Sequence, residues 1–320
     1  MADIREIAYV AVGDNHAQLI AQIVSTQGWR VTTPIDSLGA ALQGFATGKY
    51  SAIILEDTHQ SPVALHVLRE LRNPILHLAT MMVLLDKDRA EDEAVFATHF
   101  SFHSIVKPLS RMAVIQAFMG LTKRASSPEC RASAECARQL ASDGPGANAI
   151  VLAGLAELSK NMGYVHRVAH ARALSHLGGA AANDVGKISR DAFKLTEAEL
   201  LKHARSHPNN IVAFLILASL YTDLSMTVLA RRLMQSASSV APRFSLGNAF
   251  LAQLHLLLGE MEDAITVLGR LMQVRYMPEQ TSFSLAKLYC SLGRLDQAEK
   301  LLGGQAGRFH ALKSAWIESK

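Results

Sequence analysis

One spacing governs what the second half of this chain can become. Leu217-Ala218 recurs as Leu251-Ala252 and again as Leu285-Ala286, at a constant interval. Ala230, Ala264 and Ala298 keep the same period, as do Tyr221, His255 and Tyr289, and Ser225, Gly259 and Gly293. Pro208 and Pro242 are separated by that interval too. A fixed period of this length marks a supersecondary unit that cannot bury its apolar face alone and must stack on its neighbours. Between the recurring columns, apolar residues fall at helical spacing, and turn residues punctuate them. The region is therefore expected to be all-α, one pair of helices per period.

A 34-residue unit with small residues at two fixed places and an aromatic between them resembles the tetratricopeptide repeat. The resemblance implies an α-solenoid in which the small residues let paired helices approach, the aromatic fills the space beside them, and the glycine or serine closes the turn. Units are expected at 211–244, 245–278 and 279–310, the third interrupted by Gly303-Gly304. "RFHALKSAWIE" (308–318) would cap the stack through Phe309, Leu312 and Trp316. Upstream, "LAELSKNMG" (155–163) echoes "LAKLYCSLG" (285–293), so a divergent unit is expected near 149–180 within a repeat domain spanning 148–320. First helices of such repeats line a groove, here Leu215, Ser219 and Asp223, then Ala249, Gln253 and Leu256, then Phe283 and Lys287. Only Lys287 is cationic, which disfavours a clamp for a terminal carboxylate. An apolar peptide, a partner's helix or a second copy of the chain fits better.

Residues 1–124 follow another pattern. Short β-branched and apolar runs at 6–12, 29–33, 50–55, 80–85 and 103–106 alternate with amphipathic stretches at 16–28, 37–48, 62–72, 90–100 and 110–123. The alternation predicts an α/β unit, a five-stranded doubly wound parallel sheet. Ligands in such sheets bind beyond the carboxyl ends of the strands. That edge should hold Asp14, Glu56, Asp57, Asp86 and Lys107. The third run, within "KYSAIILEDTHQ" (49–60), ends in two successive carboxylates.

Together "VGDN" (12–15), "SAIILED" (51–57), "VLLDKD" (83–88) and "IVKPL" (105–109) resemble a bacterial response-regulator receiver domain. The resemblance implies a Mg²⁺ held by acidic residues after the first strand, a phosphate-accepting aspartate after the third, a hydroxyl after the fourth and the Lys107-Pro108 pair after the fifth. This chain departs from that pattern. One acidic position is Gly13, the acceptor position falls on Glu56, and the hydroxyl position falls on Leu85. Asp14 and Glu56 are the only Mg²⁺ candidates, and the expectation is a degenerate receiver needing no cofactor. In one reading Glu56 stands permanently where a phosphoaspartate would form and pairs with Lys107. In the other the strand is slipped by one residue and Asp57 accepts phosphate, at the cost of swapping every side chain's face. A receiver implies a histidine kinase, a phosphotransfer protein or another regulator as partner, docked near 90–100 and 110–121.

Residues 123–147, rich in Ser, Ala, Gly and Pro, read as a linker (125–147) with a short helix inside it. Residues 1–125 carry 11 Lys/Arg against 12 Asp/Glu, and 126–320 carry 21 against 16. That mild excess, without basic runs or interleaved aromatics, gives a nucleic-acid-binding solenoid little support. Cys130, Cys136 and Cys290 form no paired framework, which suits a reducing cytoplasm. No apolar run reaches the roughly 18 residues of a membrane span. His166 and His170 stand at i and i+4, a spacing able to hold a metal, but no third ligand is evident and an exposed basic face is expected. No nucleophile elbow is present, so the chain reads as a non-enzymatic protein-binding molecule.

Overall fold

The computed structural model describes residues 5–11, 16–57, 63–87, 102–143, 162–178, 188–273, 278–303, 310, 311 and 314. Contacts divide the chain into two compact units, Met1–Leu217 and Ala218–Lys320.

In the first unit β1 (Arg5–Val10), β2 (Trp29–Val31), β3 (Ala52–Glu56), β4 (Met81–Leu85) and β5 (Phe102–Val106) form one all-parallel sheet, ordered β2-β1-β3-β4-β5. Every residue of β3 and β4 is at most 1% exposed, as expected of strands covered on both faces. Helices α1 (Ala17–Ser25) and α2 (Leu38–Ala46) flank β2 in sequence. Ser37 starts α2 by accepting the Ala40 N–H at 3.4 Å. α5 (Arg111–Ala125) packs beside α1, and α3 (Val63–Glu70) and the one-turn α4 (Pro74–Leu78) pack beside α2. Ile7, Tyr9, Ala52, Ile54, Met82 and Leu84 pack on one face against Ile20 and Val24 of α1 and Val114 and Phe118 of α5. The strand order reverses between β1 and β3, which makes the carboxyl ends of those strands the natural site.

The segment expected to be a linker is a sixteen-residue helix, α6 (Pro128–Asp143). Its stripe of Cys130, Ser133, Ala137 and Leu140 is buried, and it packs on α2 and α4. Small side chains allow that close approach while giving the segment a loop-like composition. α4 also packs on α7 (Met162–Ser175), which lies against α8 (Arg190–Ser206). The contact division therefore falls at 217/218, well beyond the boundary expected near 124.

In and around the second unit, α9 (Ile211–Asp223), α10 (Thr227–Val240), α11 (Ser245–Leu257), α12 (Met261–Gln273), α13 (Pro278–Ser291) and α14 (Leu295–Leu302) follow in chain order. α10, α12 and α14 begin at Thr227, Met261 and Leu295, in step with the sequence period. The turns before them match bond for bond. Met226 N–H donates to Tyr221 O at 2.7 Å, Glu260 N–H to His255 O at 2.9 Å, and Arg294 N–H to Tyr289 O at 2.8 Å. This is the six-to-one closure of a Schellman ending, which needs a left-handed residue one place earlier. Gly259 and Gly293 supply it with φ of 73°, and Ser225 does so at 58°. Ala218, Ala230, Ala264, Ala286 and Ala298 are all fully buried. α14 stops at Gly303, in line with the expected interruption. The first part of the divergent upstream unit (149–161), Phe309, Leu312 and Trp316 lie outside the described residues. No helix among the described residues is long and apolar enough to cross a membrane.

Candidate functional site at the carboxyl edge of the sheet

Period-two alternation assigns the two carboxylates of β3 to different duties. Glu56 shares the face of Ala52 and Ile54, whereas Asp57 follows Ile53 and Leu55 toward the other. Both residues are fully buried. β1 lies beside β3 with Tyr9 opposite Ile54, so the Tyr9 phenol reaches the end of β3. α1 begins immediately after His16, its N-cap residue, and brings that backbone N–H and imidazole to the same point.

Glu56 is saturated. Its Oε2 accepts from the Tyr9 hydroxyl and from the His16 backbone N–H at 3.1 Å. Its Oε1 lies 2.8 Å from Lys107 Nζ and 2.6 Å from His16 Nδ1. An ionised carboxylate offers about four acceptor sites, and protein donors fill all of them. Burial alone would raise the Glu56 carboxyl, but the combined hydrogen bonds from Lys107, Tyr9 and His16 outweigh it and hold the group below the ordinary glutamate range. The Tyr9 phenol is pushed up, first by burial and then by its bond to the Glu56 charge.

Asp57 does other work. Its Oδ1 accepts the N–H of Val63, the first residue of α3, at 2.9 Å, and its Oδ2 accepts the Asp86 N–H at 3.2 Å. Lys107 spans the edge, reaching Asp86 Oδ1 at 3.2 Å and donating to the Asp57 carbonyl oxygen. The Lys107–Pro108 peptide bond is cis. Leu85, the last residue of β4, is 1% exposed and offers the edge only its backbone oxygen, which accepts the Lys107 N–H at 2.8 Å. Glu56, Asp57, Asp86 and Lys107 are thus brought together, and Asp14 lies outside the described residues.

Two members of this network escaped the sequence, Tyr9 and His16. A tyrosine inside an apolar strand must place its hydroxyl somewhere, and asking where would have pointed to the strand end.

Of the groove residues, Gln253, Phe283, Lys287 and Asp223 are exposed, and Ser219, Ala249 and Leu256 are half-buried. Leu215 is 1% exposed and offers no surface. The reason lies in α9, "IVAFLILASLYTD", which is apolar around almost its whole circumference, so it is buried nearly all round rather than along one stripe. The histidines of α7 also differ from expectation. His166 and His170 are buried at 9% and 0% exposure rather than forming an exposed face, because α7 is covered by α4 and α8.

Compared with family models, with curated proteins and with solved structures, the chain matches none of them.

Proposed function

We propose that this chain is a non-enzymatic signalling protein of the two-component type. In this reading the α/β unit is a receiver-like domain whose acceptor position is filled permanently by Glu56. The 34-residue helical repeats are a tetratricopeptide-type module that holds a peptide, a partner's helix or a second copy. The observation that carries the proposal is the Lys107–Glu56 pair at 2.8 Å, sunk in the carboxyl edge of a β2-β1-β3-β4-β5 sheet. A lysine there reads the charge of an acidic group at the end of β3, and Glu56 supplies that charge without chemistry. Signalling would then run through contacts, with a histidine kinase, a phosphotransfer protein or another regulator meeting the α/β unit.

The test is incubation of the full chain with acetyl phosphate and Mg²⁺, followed by intact-mass measurement. The expected result is no gain of the roughly 80 Da that an acyl phosphate adds. A gain abolished by Asp57→Asn would replace this reading with that of a phosphorylated regulator. Binding of the full chain to RNA or DNA that weakens steeply with salt would favour a nucleic-acid-binding solenoid instead.

A further inference from the structure

The histidines of the first unit converge from two helices. His166 stands on α7. His203 lies in the last turn of α8 and His207 is that helix's C-cap residue. Pro208 sets the last position, because the residue before a proline is driven out of helical conformation. His207 accordingly adopts φ −136° and ψ 71°. Its ring turns back over the helix end, 4.6 Å from the His203 ring and 4.8 Å from the His166 ring, centroid to centroid. His166 Nδ1 and His203 Nε2 are 3.0 Å apart. One ligand nitrogen from each of the three rings lies within 4.8 Å of the others.

We propose that His166, His203 and His207 form a binding site for a divalent transition metal of the Zn²⁺ class, with a fourth coordination position open to water. Three imidazoles are a ligand set that Zn²⁺, Co²⁺, Ni²⁺ and Cu²⁺ accept and that oxygen-seeking Mg²⁺ and Ca²⁺ do not. With metal–nitrogen bonds of about 2.0–2.1 Å, tetrahedral ligands stand roughly 3.4 Å apart. The His166–His203 pair is already closer than that, so the ion needs only a small opening there and an inward swing of His207. His207 is half-buried at a helix end, where its ring keeps room to move.

Its ring is also oriented as a ligand should be. His207 Nδ1–H donates to the His203 carbonyl oxygen at 3.3 Å, which leaves the Nε2 lone pair for the ion. Metal-bound histidines almost always make such a second bond. The proton now shared between His166 and His203 moves to the other nitrogen of whichever ring holds it, so both imidazoles stay neutral and each presents a lone pair. Glu199, one turn before His203, is engaged by Arg172 at 3.0 Å and His176 at 3.4 Å. The ion would pin α7 to the C-terminal end of α8. Nothing in this site depends on the reading of the sheet edge.

The test is a Co²⁺ titration of the full chain, free of any histidine tag, followed by displacement with Zn²⁺. Expected are the visible bands of four-coordinate Co²⁺, saturating at one equivalent and lost on adding one equivalent of Zn²⁺. His203→Gln and His207→Gln should each weaken Co²⁺ binding at least about tenfold, and His176→Gln should leave it unchanged. Because His203→Gln can disturb the helix contact, circular dichroism accompanies each variant. Ring-nitrogen NMR of the unaltered chain gives a readout that needs no variant, and the His166, His203 and His207 signals should shift together at one equivalent of Zn²⁺. Absence of the bands, bands of full strength in both variants, or Zn²⁺ shifts confined to other histidines would each overturn the proposal.

Discussion

The carboxyl edge of the sheet and the repeated turns of the second unit both close a structure with a few hydrogen bonds, yet they distribute risk differently. The turn bonds at Met226, Glu260 and Arg294 are made three times, and each serves only its own helix pair. The bonds at Glu56 are made once, around a charge with no access to water. Stability in a repeat array is roughly a sum of local terms. A buried ion pair behaves otherwise, because removing one partner strands the other.

The sharpest way to break this comparison is Lys107→Met. It takes the Lys107 cation away from the buried Glu56 carboxylate, and a loss of about 3–5 kcal/mol in urea unfolding is expected. Adding Glu56→Gln to the same chain should recover a large part of that loss. If the two single losses simply add, the pair is not coupled and the contrast with the repeats fails.

The next largest effect is expected from pH, again confined to the first unit. Burial holds the His77 imidazole down to about 4, opposed by its bond to the Leu71 carbonyl and reinforced by the charge of Arg167. His170 packs edge-on against the same ring at 5.3 Å. Between about pH 6.5 and about 4 the unfolded chain binds a proton that folded His77 refuses, so stability is intact above this window and falls through it. The contribution of this one group reaches about 3 kcal/mol at the acid end. His77→Phe should flatten the fall measured by denaturation at successive pH values. Glu56 acts lower down. Its folded pKa is depressed, so its contribution is present above the ordinary glutamate value of about 4.3 and fades only as the pH drops through its own lower one.

In the second unit, Ala264→Leu forces extra bulk into a fully buried position and should cost about 1–3 kcal/mol. Hydrogen exchange should show the loss concentrated in α11, α12 and α13 and not spread over the chain. The smallest change sharpens the contrast within the repeats themselves. Ser225 holds a left-handed conformation that glycine adopts freely, so Ser225→Gly should raise stability by about 1 kcal/mol. Gly259→Ser should lower it by a similar amount.

How far these features could be read from residues alone also differs between the two regions. The repeat period predicted one helix pair per unit, because repetition lets three weak local signals reinforce one another, and the helix starts at Thr227, Met261 and Leu295 keep that period. The five strands were legible from apolar runs, and so was the meeting of Glu56 with Lys107, because strand ends converge by topology. Tyr9 was hidden by its double character, a ring that suits the core and a hydroxyl that serves the edge. α6 was hidden by its composition, since Cys130, Ser133 and Ala137 bury well without looking apolar. The partners of His166, His203 and His207, belong to another helix and its cap, beyond the reach of any local spacing rule. His170, at the visible i+4 position, is not one of the three convergent ligands.

The saturation of Glu56 has a consequence in time. An acyl phosphate is a mixed anhydride that water eventually breaks, so a site built on one carries its own clock. A glutamate whose oxygens are all held by Tyr9, His16 and Lys107 has no such bond to lose. On the proposed reading the state of this edge lasts as long as the fold does. How long a message persists would then be decided by how slowly a bound partner lets go.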